Sequence, residues 1–223
     1  EGEAGNKKIT TPEDLEMLRM TGERIPCVGY GYDVHKYADG NEARQPARPM
    51  RLGGVPIAGS PDVLAHSDGD VLLHSLMDAL LGCIGAGDIG TFFPDSDPAL
   101  GNVNSAVLLD TVLEHVQKAN VHITHVDLTV IAQIPKVGPH REMIRRNVAR
   151  LLGLDMGAVN VKATTEEGLG FTGSGEGISS QAITLLTEVE NYCYDSEMMT
   201  QAAACGGCGG CGGCQAAPEA DLK

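Results

Sequence analysis

Two short stretches of this 223-residue chain carry residue types that bind metal. The first is DVH, with Asp33 and His35 two apart. In an extended segment, positions i and i+2 point the same way, so both can grip one ion. Alone, the pair is a weak signal and reads more readily as two surface loop residues. The second is HSDGDVLLHSLMD. On a helix, Asp70, His74 and Asp78 fall on one stripe at spacings of four, with His66 just before it. Two His and one carboxylate make a common catalytic zinc set that leaves the fourth position to substrate. A ligating His donates its other nitrogen to an acceptor, and Asp70 or Asp78 is placed to offer one. The plainer alternative makes His74 a tolerated polar residue in an amphipathic helix.

Other loops have phosphate and sugar chemistry available. KATTEEGLGFTGSGEG has two Thr and two Glu ahead of its glycines. Backbone N–H groups and Thr hydroxyls can cradle phosphates, and a Glu can hold Mg2+ against them. The spacing is neither a P-loop nor a dinucleotide fingerprint, and a flexible surface loop fits the bare pattern as well. In GDIG and FPDSD, Asp88 can accept from sugar hydroxyls, though both stretches also form ordinary turns. The repeat CGGCGGCGGC (Cys205, Cys208, Cys211, Cys214) has zinc or iron–sulfur spacing. Its Gly-Gly spacers cost much order to immobilise, so a disordered low-complexity segment is the expectation. His115, His122, His125 and His140 read as surface or packing residues.

The elements that must position these residues are legible from periodicity. CVGYGYDVH reads as a strand running into a functional loop, and RLGGVPI as a short strand with a Gly break. SDGDVLLHSLMDALLG reads as a helix capped by Ser67 or Asp68. GDIGTFFPDSDPALGN is a loop, and NSAVLLDTVLEHVQKAN a second amphipathic helix. VDLTVIA alternates as a strand does. HREMIRRNVARLLG is a third helix with Gly153 as its C-cap, and AVNVKAT another strand. ISSQAITLLTEVENY reads as a closing helix. TPEDLEMLRM gives a short helix signal near the start, with Thr11 as N-cap and Pro12 as first helical residue. The expected fold class is α+β: about four strands in one sheet, with helices packed on one face. The expected layout is a polar leader (1–24), a folded domain (25–190) and a low-complexity Cys/Gly tail (191–223).

Composition narrows the function. Hydrophobic residues make up 42%, enough for a core, with aromatics at 4% and no Trp, so aliphatic side chains must build it. The formal net charge is −14, the wrong sign for a phosphate-backbone reader, so no nucleic acid is expected. Residues 25–187 hold 18 acids and 11 bases, so cations would have to supply positive charge against a phosphorylated substrate. No apolar stretch reaches the roughly 18–20 residues of a membrane span, so no membrane partner is expected. The chain begins at Glu1 without a signal peptide and reads as a fragment. Seven Cys without a disulfide framework fit a reducing cytosol.

Taken in order, GYDVH, LAHSDGDVLLHSLMDALLG, GDIG, FPDSD, AQIPK and VKATTEEGLGF followed by GEGI resemble the 2-C-methyl-D-erythritol 2,4-cyclodiphosphate synthases of the non-mevalonate isoprenoid pathway. The resemblance covers roughly residues 27–188. It implies a homotrimer with active sites between subunits. It implies that Asp33, His35 and His74 hold Zn2+, and that Glu167 contacts a second divalent cation, Mg2+ or Mn2+. His66 and Thr165 match residues that position the phosphates and stabilise the transition state. Asp88 matches the ligand of the methylerythritol hydroxyls, with Ile89 and Gly90 beside it. The stretch Phe93, Pro94, Asp95 to Asp97 borders that pocket. Ala132 to Gly138, including Pro135 and Lys136, match the segment that holds the cytidine together with Thr164. Ser67 and Phe171 complete the implied substrate contacts.

The implied reaction is intramolecular. The 2-phosphate of 4-diphosphocytidyl-2-C-methyl-D-erythritol 2-phosphate attacks its own β-phosphate, CMP leaves and a cyclic diphosphate forms. A zinc-dependent phosphoesterase is the alternative enzyme, and a metal carrier acting through the Cys tail the non-enzymatic one. One position departs from the family pattern: Ser174 stands where an Arg is usual, which implies weaker anion binding in the trimer's central cavity. NKKITTPEDLEML is similar to the end of the pathway's cytidylyltransferase, which implies a covalently fused partner domain. The resemblance implies a bacterial cytoplasmic location, or a plastid after removal of a transit peptide.

Overall fold

Glycines and large apolar residues alternate along the first strand, and that alternation fixes where everything else packs. In the computed structural model of the chain, which describes residues 26–39, 41, 49–94 and 96–188, strand β1 runs over Cys27–Lys36. Its Val28, Tyr30, Tyr32 and Val34 face outward, while Gly29 and Gly31 are buried. A short hairpin follows, β2 (Arg51–Leu52) and β3 (Val55–Pro56), turned by Gly53 and Gly54, both at positive φ. Helix α1 (Val71–Cys83) is almost wholly buried. A four-residue helix α2 (Ile89–Phe92) interrupts the stretch expected to be a loop. Helix α3 (Ser105–Lys118) is capped by Asn104. Strand β4 (Val121–Ile131) leads to helix α4 (Arg141–Leu152), which ends on Gly153 in the left-handed conformation that only glycine adopts without cost. Strand β5 (Val159–Thr164), the short helix α5 (Gly170–Gly173) and strand β6 (Gly177–Glu188) complete the described chain.

Strands β1, β6, β4 and β5 form one mixed sheet in that order, with β4 and β5 parallel and the other pairs antiparallel. The α+β class and the four-stranded sheet agree with the sequence expectation. The closing segment does not: ISSQAITLLTE is β6, an inner strand, and not a helix. Ile178, Ala182 and Leu186 sit at helix-like spacings of four, which suits either period. The same face also carries Ser180 and Thr184, all five fully buried under α1. Unpaired edges of β1 and β4 on both sides decide the matter, because a strand there satisfies both rows of backbone groups at once. The cap of α1 is also corrected. It is Asp70, which accepts from Leu73 N, and not Ser67 or Asp68.

Helix α1 lies very close to the sheet. A Cβ on Gly29 would stand 1.8 Å from the Ala79 carbonyl oxygen, and one on Gly31 would stand 1.9 Å from that of Ser75. Only glycine permits this approach. Ser75 then bonds Ser180 across the gap at 2.9 Å, and Thr184 donates to the Ala79 carbonyl at 3.3 Å. The core around α1 is aliphatic, as composition requires: Leu72, Leu76, Leu80, Leu109, Leu128 and Ile144 are fully buried. The leader helix at TPEDLEMLRM and the Cys-rich tail lie outside the described residues.

Candidate metal centre and substrate cleft

Residues 29, 31, 33 and 35 share the α1-facing side of β1, so the glycines that admit the helix also aim Asp33 and His35 at it. His74 comes up from the first turn of α1 to meet them. Its Nδ1 lies 2.9 Å from Asp33 Oδ2 and 3.2 Å from His35 Nε2, and the third side of the triangle is 3.4 Å. A tetrahedral ion with ligands at about 2.0–2.1 Å holds them about 3.3 Å apart. The donor set and its spacing therefore fit one divalent cation, and this is the metal-competent cluster of His, Cys and carboxylate groups among the described residues.

The electrostatics are those of a tight cluster. Burial opposes ionisation of Asp33, but the hydrogen bond from His74 and the charges of His35 and His74 outweigh it and hold the carboxyl below its usual value. Burial lowers the pKa of His35 despite the neighbouring Asp33. At His74, burial is again the largest effect, yet the bond to Asp33 and the surrounding carboxylates raise the pKa.

Asp70 and Asp78 are not the partners of His74 that the helical stripe suggested. Asp70 is fully buried and turns away. Beyond capping α1 it accepts from Gly53 N at 2.9 Å and Gly54 N at 2.5 Å, fastening the β2–β3 turn to the helix. Asp78 accepts from Ile89 N at 2.8 Å and so fixes the start of α2. The far nitrogen of His74, Nε2, instead meets two hydroxyls, Ser67 Oγ and Ser105 Oγ, each at 3.0 Å. Ser105 carried no signal in the sequence, because it opens a helix 31 residues away and only folding brings it to the ring.

A cleft of about 390 Å³ opens over the triangle. His66, Ser67, Ile89, Gly90 and Phe93 line it together with Asp33, His35 and His74. Apolar Leu64, Ala65, Leu100, Val103 and Leu108 form the remainder of its wall. His66 is exposed at the cleft, with Nε2 3.2 Å from the Asp97 carbonyl oxygen. Asp88 is exposed and caps α2, accepting from Thr91 N and Thr91 Oγ1 at 2.9 Å each; those bonds lower its pKa. Pro94 and Asp97 are exposed beyond the cleft, and Asp95 lies outside the described residues.

The remaining candidates gather elsewhere, at the C-terminal ends of β4 and β5. Ala132 N donates to the Thr164 carbonyl at 3.1 Å. Tyr37 donates its hydroxyl to the Ile134 carbonyl, tying the Ala132–Lys136 segment to the end of β1. Lys136 is exposed. Thr165 donates to Glu167 Oε1 at 2.8 Å, and Glu167 adopts a left-handed backbone, φ 53°. Glu166 accepts from the buried Thr172 hydroxyl and closes this loop on α5, beside the half-exposed Phe171. None of Ala132, Pro135, Lys136, Thr164, Thr165, Glu167 and Phe171 lines the cleft of their own chain.

The model of the YgbB family matches residues 27–187. The chain belongs to the YgbB family. Among its YgbB relatives, the bifunctional enzyme IspD/IspF of Nitratidesulfovibrio vulgaris strain DP4 is 61% identical over 183 residues, which cover 81% of this chain and 45% of that protein. The chain thus spans about half the length of such bifunctional relatives. The 2-C-methyl-D-erythritol 2,4-cyclodiphosphate synthase of Lachnospira eligens is 50% identical over 181 residues, 81% of this chain and 95% of that protein. The solved CDP complex of IspF from Plasmodium falciparum superposes with a TM-score of 0.62 at 37% identity, over 74% of this chain and 97% of that one. Among the described residues of this YgbB member, no helix is long and apolar enough to cross a membrane.

Proposed function

We propose that this YgbB domain is a 2-C-methyl-D-erythritol 2,4-cyclodiphosphate synthase. It converts 4-diphosphocytidyl-2-C-methyl-D-erythritol 2-phosphate to the cyclic diphosphate and CMP. The observation that carries the reading is the Asp33–His35–His74 triangle at the cleft, in a chain 50% identical to a synthase over 95% of that enzyme's length.

The residue inventory suits the chemistry. The substrate's 2-phosphate is already a nucleophile, so no activated Ser or Cys is needed, and alignment with charge neutralisation suffices. Asp33, His35 and His74 would hold Zn2+, and Glu167 a second cation, Mg2+ or Mn2+. Bound cations supply the positive charge toward the phosphoryl oxygens that an acidic domain lacks. His66, exposed beside the triangle, donates to a phosphate oxygen, and Thr165 does the same with its hydroxyl. Asp88 accepts from the methylerythritol hydroxyls, while Ile89, Gly90 and Phe93 pack against its carbon skeleton. Ala132 to Gly138, with Thr164, hold the cytidine; a CDP complex of a 37% identical relative supports a cytidine ligand. Holding the substrate folded back so that its two ends meet contributes several kcal/mol of entropy, of the order of 7 or more in well-aligned cases.

The same geometry supports a homotrimer. The second group of candidates, Thr164 to Glu167 with the cytidine segment, stands apart from the cleft of its own chain. A neighbouring copy would bring its own group there. The outward row of β1 supports self-association: Val28 is 66% exposed and Tyr30 59%, and Ile183 opposite Tyr30 is 48% exposed. A bifunctional relative supports a fused cytidylyltransferase domain; we assign residues 1–24 to its end and 25–190 to the synthase domain. A bacterial cytoplasm suits the free thiols of Cys27 and Cys83.

The experiment is turnover of that substrate followed by phosphorus NMR. The cyclic diphosphate and CMP in equal amounts are expected. Release of inorganic phosphate instead overturns the reading in favour of a zinc phosphoesterase.

A further inference from the structure

The geometry points to Ser105 and Asp68 as positioning residues that fix the tautomer of His74 and thereby set the affinity of the metal centre. Nδ1 of His74 faces Asp33 and His35, so Nδ1 is the ligating nitrogen. A neutral imidazole that ligates through Nδ1 keeps its proton on Nε2, and that N–H needs an acceptor. Two hydroxyls stand at 3.0 Å, and their own bonds differ. Ser105 Oγ lies 2.5 Å from Asp68 Oδ1, and a carboxylate only accepts, so the Ser105 proton points to Asp68. Its lone pair is thereby turned to His74. The direction of the chain is set: His74 Nε2–H to Ser105 Oγ–H to Asp68 Oδ1. Ser67 Oγ is differently engaged and accepts from Gly69 N at 3.3 Å.

Asp68 is held for this role. Its other oxygen accepts from Ser105 N at 3.2 Å, its first also from Asp70 N at 3.3 Å, and its side chain is only 8% exposed. Ser105 is fully buried at the first position of α3, so the hydroxyl has no solvent alternative. Without this relay, Asp33 as the nearest strong acceptor would draw the proton to Nδ1 and set the ring against the metal.

The inference rests on the metal reading above, and the test separates the two. Chains stripped of metal are titrated with zinc against a chromophoric chelator, and the tautomer of the His74 ring is read by long-range nitrogen–proton NMR. Ser105→Ala is expected to weaken zinc by about 10- to 100-fold, with the ring shifted toward Nδ1–H in the metal-free chain. Ser67→Ala is expected to stay within about threefold of the unaltered chain, and Ser105→Thr, which keeps the hydroxyl, to recover at least part of the loss. Equal zinc affinity in Ser105→Ala, or an equal loss in Ser67→Ala, overturns the relay. Should Ser105→Ala show no cooperative unfolding transition, Asp68→Asn is read in its place: a loss of about tenfold is expected, and unchanged affinity overturns the inference. Failure of the unaltered chain to bind zinc would overturn the metal reading itself.

Discussion

Asp33 sits where burial and two imidazoles pull in opposite directions, and the imidazoles win. The carboxyl is therefore ionised and ready to ligate a cation. His74→Ala removes one corner of the triangle. It is expected to leave almost no bound zinc and to slow CMP release at least about 100-fold, the scale on which one preorganised electrostatic contact acts. Metal analysis and a CMP assay on the same sample check this. Dialysis of the unaltered chain against a chelator should stop CMP release, and added zinc should restore it; persistence of turnover in the stripped chain would contradict the proposed centre.

At the scale of elements, the centre exists because β1 and α1 touch. Gly31→Ala places a methyl group 1.9 Å from the Ser75 carbonyl oxygen, so strand and helix must separate. Overpacking of this kind costs about 1–3 kcal/mol. It should also weaken zinc binding, because Asp33 and His35 ride on the displaced strand; thermal unfolding and zinc titration measure the two effects. Asp70→Ala strips α1 of its cap and leaves Gly53 N and Gly54 N without their acceptor. A loss of about 2–4 kcal/mol is expected in denaturant unfolding. Between β4 and β5, Asp127 titrates in the opposite sense to a buried acid. Burial opposes its charge, but the Lys162 ammonium at 2.7 Å and the Asn160 amide at 2.9 Å outweigh it, and the pKa is lowered. Its stabilisation is therefore present above the unfolded carboxylate range, near 3.9, and fades as pH falls through the folded value. Lys162 is half exposed, which limits the pair to about 0–1 kcal/mol. Asp127→Asn should lower stability by that amount at pH 7, and the difference from the unaltered chain should shrink in unfolding curves taken at progressively lower pH beneath the unfolded carboxylate range.

For the whole molecule, the outward face of β1 and β6 is the surface the proposed trimer would cover. Tyr30 and Ile183 face each other across the strand pair and are both about half exposed. Placing a carboxylate there, as in Tyr30→Asp with Ile183→Asp, should turn a species of three chain masses into a monomer in sedimentation velocity. CMP release should fall with it, since the proposed site draws Thr165 and Glu167 from a neighbouring copy. A trimer that survives the double substitution would remove this face from the interface.

Sequence alone determined much of the site. Asp33, His35 and His74 stood out as candidates because a D-x-H on a strand and a His within an apolar helix are short-range patterns, but it was the family resemblance that joined the three around one ion. The helices α1, α3 and α4 were legible for the same reason. Tertiary structure decided the rest. Alternation by itself would turn Val28, Tyr30, Tyr32 and Val34 inward, yet the glycines between them face the core, because a helix backbone fills the space their side chains lack. The closing segment became a strand because β1 and β4 offered it two unpaired edges, a condition no local window contains. Ser105 reached His74 only through the packing of α3 beside α1, so the hydroxyl that orients the ring was invisible until the chain folded.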